Sequence, residues 1–150
     1  MKKRLLMLLA LMVALPSVLL TSCSDDDDDI SASEVPQAVM TAFTSRYAAA
    51  KFVKWERDRG YYKADFFVEQ NEVDAWFQPD GTWHRSETDL LPTQLPEAVQ
   101  SYLAANHPDR YIDDCDLIET PSESYYLIEL DKAGSPDTYV RLSATGQVMP

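Results

Sequence analysis

Side chains that commonly carry catalysis or bind transition metals are few in this sequence. The chain has two histidines, His84 and His107, and two cysteines, Cys23 and Cys115. Neither histidine belongs to a His-x-x-x-His or His-Glu pair, and a lone thiol cannot form a zinc cage. No Gly-x-Ser-x-Gly motif or glycine-rich phosphate loop is present. The sequence therefore favours a protein that is not an enzyme and has no cofactor, although a catalytic carboxylate pair stays open.

Carboxylates are the abundant reactive groups. Asp and Glu number 25 against 13 Lys and Arg, a formal charge of −12. Asp113, Asp114 and Asp116, or the surroundings of Asp74 and Asp80, offer oxygen ligands of the kind that calcium prefers. Because no EF-hand spacing supports such a site, we predict no metal and interpret the first cluster as a solvated loop and strand start. A calcium- or small-ligand-responsive envelope protein that uses these acidic clusters is one of two functions that the sequence allows, and it is the alternative to the binding function described below.

The sequence contains an internal repeat, and the elements of its two copies determine where these side chains lie. Each copy of such a repeat is one supersecondary unit that packs against its neighbour. The offset between copies grows from 60 to 64 to 65 residues, as expected if only loop lengths differ. Three segments recur: Val35-Pro36-Gln37-Ala38-Val39 as Leu95-Pro96-Glu97-Ala98-Val99, Tyr61-Tyr62 as Tyr125-Tyr126, and Asp80-Gly81 as Thr145-Gly146.

Each copy begins with a helical pattern and continues with strand patterns. Apolar residues at helical spacing run from Val35 to Tyr47 and from Leu95 to Leu103. The period then changes to two, and turn residues separate four alternating runs in each copy. We predict an α+β fold: two tandem repeats, each a helix plus a four-stranded antiparallel meander, form one continuous sheet with the helices on one face. Repeat one spans 33–89 and repeat two 90–150.

Cys115 takes the place of Trp55 in the second copy, on the predicted core side of the first strand. Nothing near Cys115 in the sequence would lower the pKa of its thiol. We therefore predict a buried structural thiol rather than a nucleophile.

The N-terminus has the features of an export signal. Three basic residues precede an apolar run of about 15 residues, which is short for a membrane-spanning helix. The run ends in Leu20-Thr21-Ser22-Cys23, which resembles the lipobox of bacterial lipoproteins. We interpret residues 1–22 as a signal peptide and Cys23 as the lipidation site, the protein's one contact with the membrane. Ordinary cleavage nearby, with Cys23 an incidental thiol, is the alternative.

Residues 23–32 are predicted to be an acidic tether, because Asp25–Asp29 cannot be buried or packed together. In some Gram-negative bacteria such acids after a lipidated cysteine resemble a signal for display on the outer face of the outer membrane. We expect an outer-membrane lipoprotein, and its periplasmic or outer-surface orientation stays open. A plain spacer is the simpler reading of the tether.

The charge of the exported chain restricts its partners. Without Lys2, Lys3 and Arg4, 10 of the 13 basic side chains remain against 25 acidic ones, a formal charge of −15. Such a charge repels nucleic acid and anionic lipid headgroups. It permits a basic partner or a divalent cation without requiring either.

The repeated pattern resembles a known family. A leading apolar-Pro-x-Ala-Val helix, an aromatic pair opening the central strand, and an Asp-Gly turn resemble the PepSY-like family, also called β-lactamase-inhibitor-protein-like (BLIP-like), of exported bacterial proteins. The resemblance covers roughly residues 33–149. It implies two helix-plus-meander repeats with an open sheet face, and binding that restrains an enzyme such as a protease. No inhibitory loop motif carries such an activity over residue by residue.

The strand alternation also predicts which side chains face away from the helices. If Tyr62 and Tyr126 lie on the core face, rings and cations line the other one. Exposed rings and arginine bordered by charge are typical of a recognition surface for a protein or peptide. Alternatively, these rings only support cross-strand pairs or are covered. The predicted partner-binding residues are Tyr61, Lys63, Phe67, Trp76, Tyr125, Leu127, Tyr139 and Arg141.

Overall fold

The computed structural model describes residues 28–150. The predicted signal peptide, residues 1–22, and the predicted lipidation site Cys23 lie outside this range. Neither helix of the described chain is long and apolar enough to cross a membrane. The elements are α1 (Gln37–Arg46), α2 (Glu97–Asn106), β1 (Asp28–Ile30), β2 (Lys51–Asp58), β3 (Tyr61–Val68), β4 (Asn71–Phe77), β5 (Trp83–Asp89), β6 (Tyr111–Glu119), β7 (Ser124–Asp131) and β8 (Thr138–Leu142).

Both helices start in the same way. α1 and α2 begin directly after Pro36 and Pro96, whose fixed φ and missing N–H suit a helix start. Upstream of α1, the Ser31 N–H donates to the Glu34 carboxylate at 2.9 Å, and an equivalent bond precedes α2. The repeat therefore includes the segment that leads the chain into each helix.

The eight strands form one antiparallel sheet in chain order, from β1 to β8. Ala64 opposes Ala75 in repeat one, and Ile128 opposes Val140 in repeat two. The repeats join at the ladder between β5 and β6, which we call the seam. With two helices against a single antiparallel sheet, the predicted α+β fold class is confirmed.

The helices pack on the same face of the sheet but over separate apolar clusters. Val39 and Phe43 of α1 lie against one cluster, and Val99 and Leu103 of α2 lie against the other. At the seam the core-facing pair of Ser86 and Glu119 is polar, and the fully buried Ser86 hydroxyl donates to a Glu119 carboxylate oxygen at 3.3 Å. Each repeat thus has its own core, and backbone pairing makes the sheet continuous.

Cys115 occupies the position that Trp55 has in repeat one, as predicted. Trp55 opposes Ala64, while Cys115 opposes Ile128 and is 1% exposed. Its thiol donates to the carbonyl of Leu90 at 3.0 Å. Burial, with the charges of nearby aspartates, raises the pKa of the thiol to about 11, so it is protonated at neutral pH. This thiol is a core group.

Two segments differ from the prediction. Asp28–Ile30, expected to belong to the solvated tether, form β1 along β2, and Ile30 packs against the first core. Backbone pairing with β2 and the partial burial of Ile30 hold this short strand in the sheet. The expected last strand, ending at Met149, is reduced to one bridge between Leu142 and Val148. Repeat two therefore has three strands and a bridge where repeat one has four strands.

The recurring glycine turns touch the helices. Gly81 and Gly146 have φ values of +88° and +74°, which favour glycine. A Cβ at Gly81 would lie 2.6 Å from the Ala38 carbonyl oxygen, and one at Gly146 would lie 2.6 Å from that of Ala98. Both turns therefore need glycine for their conformation and for their approach to the first helical turn.

We expect Gly81→Ala to lower the free energy of unfolding more than Gly134→Ala. Gly134 also has a positive φ, +78°, but a Cβ there would meet no atom within 4 Å. The control should cost roughly 1 kcal/mol, and Gly81→Ala roughly 2–4 kcal/mol, because backbone must also move. Urea denaturation of both variants measures the difference. Equal losses would show that contact with Ala38 is unimportant.

Candidate recognition face

The eight residues predicted to point away from the helices all lie on the opposite side of the sheet, which we call the outer face. In β3, Ala64 and Phe66 are fully buried in the first core, so Lys63 and Phe67, which flank these two residues, point outward. Ile128 is fully buried in the second core, which turns Leu127 outward. The predicted orientation of these strands is confirmed.

Trp76 lies on the outer face, but the expectation that its ring is bare to solvent is wrong. The residue is only 5% exposed. The guanidinium of Arg85 lies over the indole at 3.9 Å from the ring centroid, and the Lys63 ammonium lies at 5.4 Å. The indole N–H donates to Asp58 at 2.6 Å. Side chains from three neighbouring strands therefore cover this ring.

Lys63 is held by two carboxylates. Its Nζ lies 2.8 Å from Glu56 and 2.9 Å from Asp74, and 16% of its side chain is exposed. Burial opposes the charged amine, but the hydrogen bonds to Glu56 and Asp74 outweigh it and raise the pKa of Lys63 above its usual value. Lys63 therefore links β2, β3 and β4 on the outer face of repeat one.

Two further ring contacts lie at opposite ends of β3. Tyr61 stacks on His84, with centroids 4.5 Å apart and planes 21° from parallel. Phe67 meets the edge of Phe52 at 6.4 Å, and Phe52 is 81% exposed. The rings of repeat one thus form small local contacts around the covered Trp76.

Repeat two places an arginine over a ring as well. The Arg141 guanidinium lies 4.0 Å from the Tyr125 ring centroid. It also donates to the Pro150 carbonyl and lies 3.4 Å from Glu123. Leu127, partly buried, opposes Arg141 across β7 and β8. Tyr125 and Arg141 therefore resemble the pair of Trp76 and Arg85 in repeat one.

Tyr139 is the most exposed of the eight predicted residues, at 62%. It opposes Glu129 in the ladder between β7 and β8. A hydrogen bond to Glu129 raises the pKa of the Tyr139 phenol above its usual value. Its ring, unlike that of Trp76, is accessible to a partner.

The seam brings carboxylates between the two groups of rings. Asp89 opposes Asp116 across β5 and β6. Burial, a hydrogen bond with Asp89, and the charges of Asp114, Asp89 and Glu87 raise the pKa of Asp116 to about 7. Within residues 28–150, no group of three or more His, Cys, Asp or Glu side chains is arranged to hold a metal ion. The seam is an acidic strip, and the calcium alternative has no geometric support in this range.

Sequence reasoning missed several residues that shape the outer face. Arg85 and Asp58 cover Trp76, and Ile118 at the seam is 4% exposed although it points away from the helices. The strand alternation that places Ser86 in the core would have predicted that Arg85 points outward. Its position over Trp76 also requires the register of β4 against β5, in which the two residues directly oppose each other.

Comparison with known proteins agrees with this architecture. A family described as "Putative beta-lactamase-inhibitor-like, PepSY-like" matches residues 22–70 and 60–149. A BLIP-like protein from Bacteroides fragilis superimposes with a TM-score of 0.71 at 25% identity, over 77% of this chain and 84% of that chain. The comparison with curated proteins finds no match.

A second solved structure bears on location. A Bacteroides eggerthii protein described among "putative periplasmic proteins" matches with a TM-score of 0.69 at 25% identity, over 77% of this chain and 86% of that chain. These similarities confirm the resemblance predicted from the repeats. They also support a cell-envelope location.

We expect Trp76→Ala to destabilise the protein by roughly 2–4 kcal/mol, because it removes a buried ring and its covering contacts. Tyr139→Ala, at an exposed ring on the same face, should change the free energy of unfolding by less than about 1 kcal/mol. Urea denaturation compares the two. A loss for Trp76→Ala no larger than that of the control would contradict the observed burial.

We expect Asp116→Asn to stabilise the protein at alkaline but not at acidic pH. The folded-state pKa of about 7 exceeds the usual value of 3.8, so Asp116 lowers the free energy of unfolding as pH rises through this window. After allowance for solvent screening, the gain at pH 8 should be on the order of 1–2 kcal/mol. Glu97→Gln, which removes the same charge from α2, should give no such pH-dependent gain in thermal melts.

Proposed function

The chain belongs to the PepSY-like family, and from this premise we propose that it is a non-catalytic cell-envelope module whose outer sheet face grips a protein or peptide. The family is described as inhibitor-like, so restraint of an enzyme such as a protease is the finer form of the proposal. Attachment to the outer membrane through lipid on Cys23 completes it and is supported by the sequence Leu20-Thr21-Ser22-Cys23.

The arrangement of the outer face is the observation that carries the proposal. Both helices lie on the other side, so the sheet presents a broad surface on which rings and cations are held in place. Trp76 under Arg85 and Tyr125 under Arg141 fix this layer in both repeats. Tyr139 projects from the same surface. Rings and arginines on a firm support are the residues that most often dominate binding energy at protein interfaces.

The same packing divides the eight predicted residues by role. Trp76 is buried and Lys63 is paired with Glu56 and Asp74. These two residues therefore contribute to binding indirectly, by keeping the surface in one conformation. Tyr139 offers accessible ring surface, and Tyr61 and Tyr125 are half-buried. A surface ordered before binding loses less side-chain entropy when a partner docks.

Site-specific photo-crosslinking tests the proposed face. A benzoylphenylalanine replaces Tyr139 on the outer face in one variant and the exposed Ala105 on α2 in a control. In the native envelope, we expect a crosslinked adduct of discrete mass from position 139 and none from position 105. Adducts from position 105 alone, or equally from both, would place binding elsewhere and refute the proposal.

A further inference from the structure

One end of the outer face combines exposed tyrosines with carboxylates. The group, called here the tyrosine–carboxylate patch, lies where β6 begins and β7 ends. Tyr111 opposes Asp131, and Glu129 opposes Tyr139 one step along β7 on the same face. Facing positions of this kind lie roughly 5 Å apart, so rings and acids alternate within contact distance. The patch consists of Tyr111, Asp113, Glu129, Asp131, Asp137 and Tyr139.

The two rings of the patch are open to solvent. Tyr111 is 55% exposed and Tyr139 62%, against 5% for Trp76 on the same face. The difference arises from cations. Arg85 covers Trp76 at 3.9 Å and Arg141 covers Tyr125 at 4.0 Å. Among residues 28–150, no lysine or arginine lies over Tyr111 or Tyr139 in this way.

The basic residues beside the patch are engaged elsewhere. Lys132 pairs with Asp109. Arg110 donates to the carbonyls of Leu130 and Pro136 at 3.2 and 3.1 Å. Among the described residues, neither of these cations forms an ion pair with a carboxylate of the patch.

The carboxylates act on both rings. The Tyr111 phenol donates to Asp131, and this bond raises its pKa, as the bond to Glu129 does for Tyr139. The charges of Asp113 and Asp137 contribute to both shifts. Both phenol groups thus point at acids, both residues are more than half exposed, and they lie within one shared negative field.

We propose that this patch receives a lysine- or arginine-bearing segment of the protein partner, an inference that rests on the proposed function of the outer face. A cation over a tyrosine face is attracted by the ring, and adjacent carboxylates add charge-assisted hydrogen bonds. The chain already makes this pairing internally at Trp76 and Tyr125. The formal charge of −15 on the exported chain would also steer a basic segment toward the protein.

Two defined peptides test the partner chemistry. The probe is a fluorescein-labelled peptide of alternating arginine and glycine, and its counterpart replaces arginine with glutamate. Fluorescence anisotropy should show salt-sensitive binding of the first and none of the second. The double variant Tyr111→Leu, Tyr139→Leu keeps the net charge, yet it should weaken binding roughly fivefold or more, because both ring faces are lost.

A matched charge control separates the patch from the overall field. Asp137→Asn should weaken binding of the arginine peptide about threefold. Glu97→Gln, which removes one charge from α2 on the other side of the sheet, should change it much less. Equal effects of the two variants, or an unchanged affinity of the tyrosine variant, would overturn the proposed site. Thermal melts confirm that each variant is folded.

The peptide experiment tests the chemistry of the partner, and the crosslinking experiment tests the function of the outer face, so a negative result in one can be distinguished from a negative result in the other. If Tyr139 is crosslinked to a partner but the arginine peptide does not compete, the outer face binds and the inferred partner chemistry is wrong. If the peptide binds the patch while crosslinks arise only from α2, the patch accepts cations and the proposed function of the outer face is wrong. Competition by the arginine peptide, and not by the glutamate peptide, supports both.

Discussion

The alternation of side chains along each strand is the constraint on which the structure depends. Burying Ala64 and Phe66 beneath α1 forces Lys63 and Phe67 to the other side, and burying Ile128 beneath α2 does the same to Leu127. A shift of one residue in any register would exchange the two faces, which the burial of large side chains under the helices prevents. The outer face is therefore fixed by the cores behind it.

The outer face meets a second requirement, because a sheet that points rings toward water must cover or use them. Repeat one covers its largest ring with the apolar stem and planar guanidinium of Arg85 and with Lys63, whose charge is held by Glu56 and Asp74. Repeat two covers Tyr125 with Arg141 and leaves Tyr139 open. The two repeats therefore differ on the outer face: in repeat one the largest ring is covered, and in repeat two one ring is exposed. The acidic seam joins them.

The sequence sufficed for features that depend on periodicity, and it failed where the pairing of strands brings particular side chains together. The repeat, the orientation of Tyr62 and Tyr126, and the buried Cys115 follow from spacing alone. The burial of Trp76 depends on Arg85, which directly opposes it in the ladder between β4 and β5, and strand alternation alone does not specify this pairing. Asp89 and Asp116 are separated by all of α2 before they meet at the seam. The acids of β1 led to the prediction of a solvated tether. The strand forms through backbone pairing with β2, which amino-acid composition does not report.

The chemistry of the described residues supports binding more readily than catalysis. General acid–base and nucleophilic catalysis require groups poised near neutral pH beside a partner that can exchange protons. Cys115 is buried, protonated and bonded to the Leu90 carbonyl, and His84 lies against the ring of Tyr61. Asp116 titrates near neutrality, but its hydrogen-bonding partner is Asp89, a second carboxylate, and the charges that raise its pKa are also those of carboxylates. What the fold keeps in place is a surface: rings, cations and acids set at fixed spacings by two cores, and such a surface can select a partner by its charge and shape without altering it.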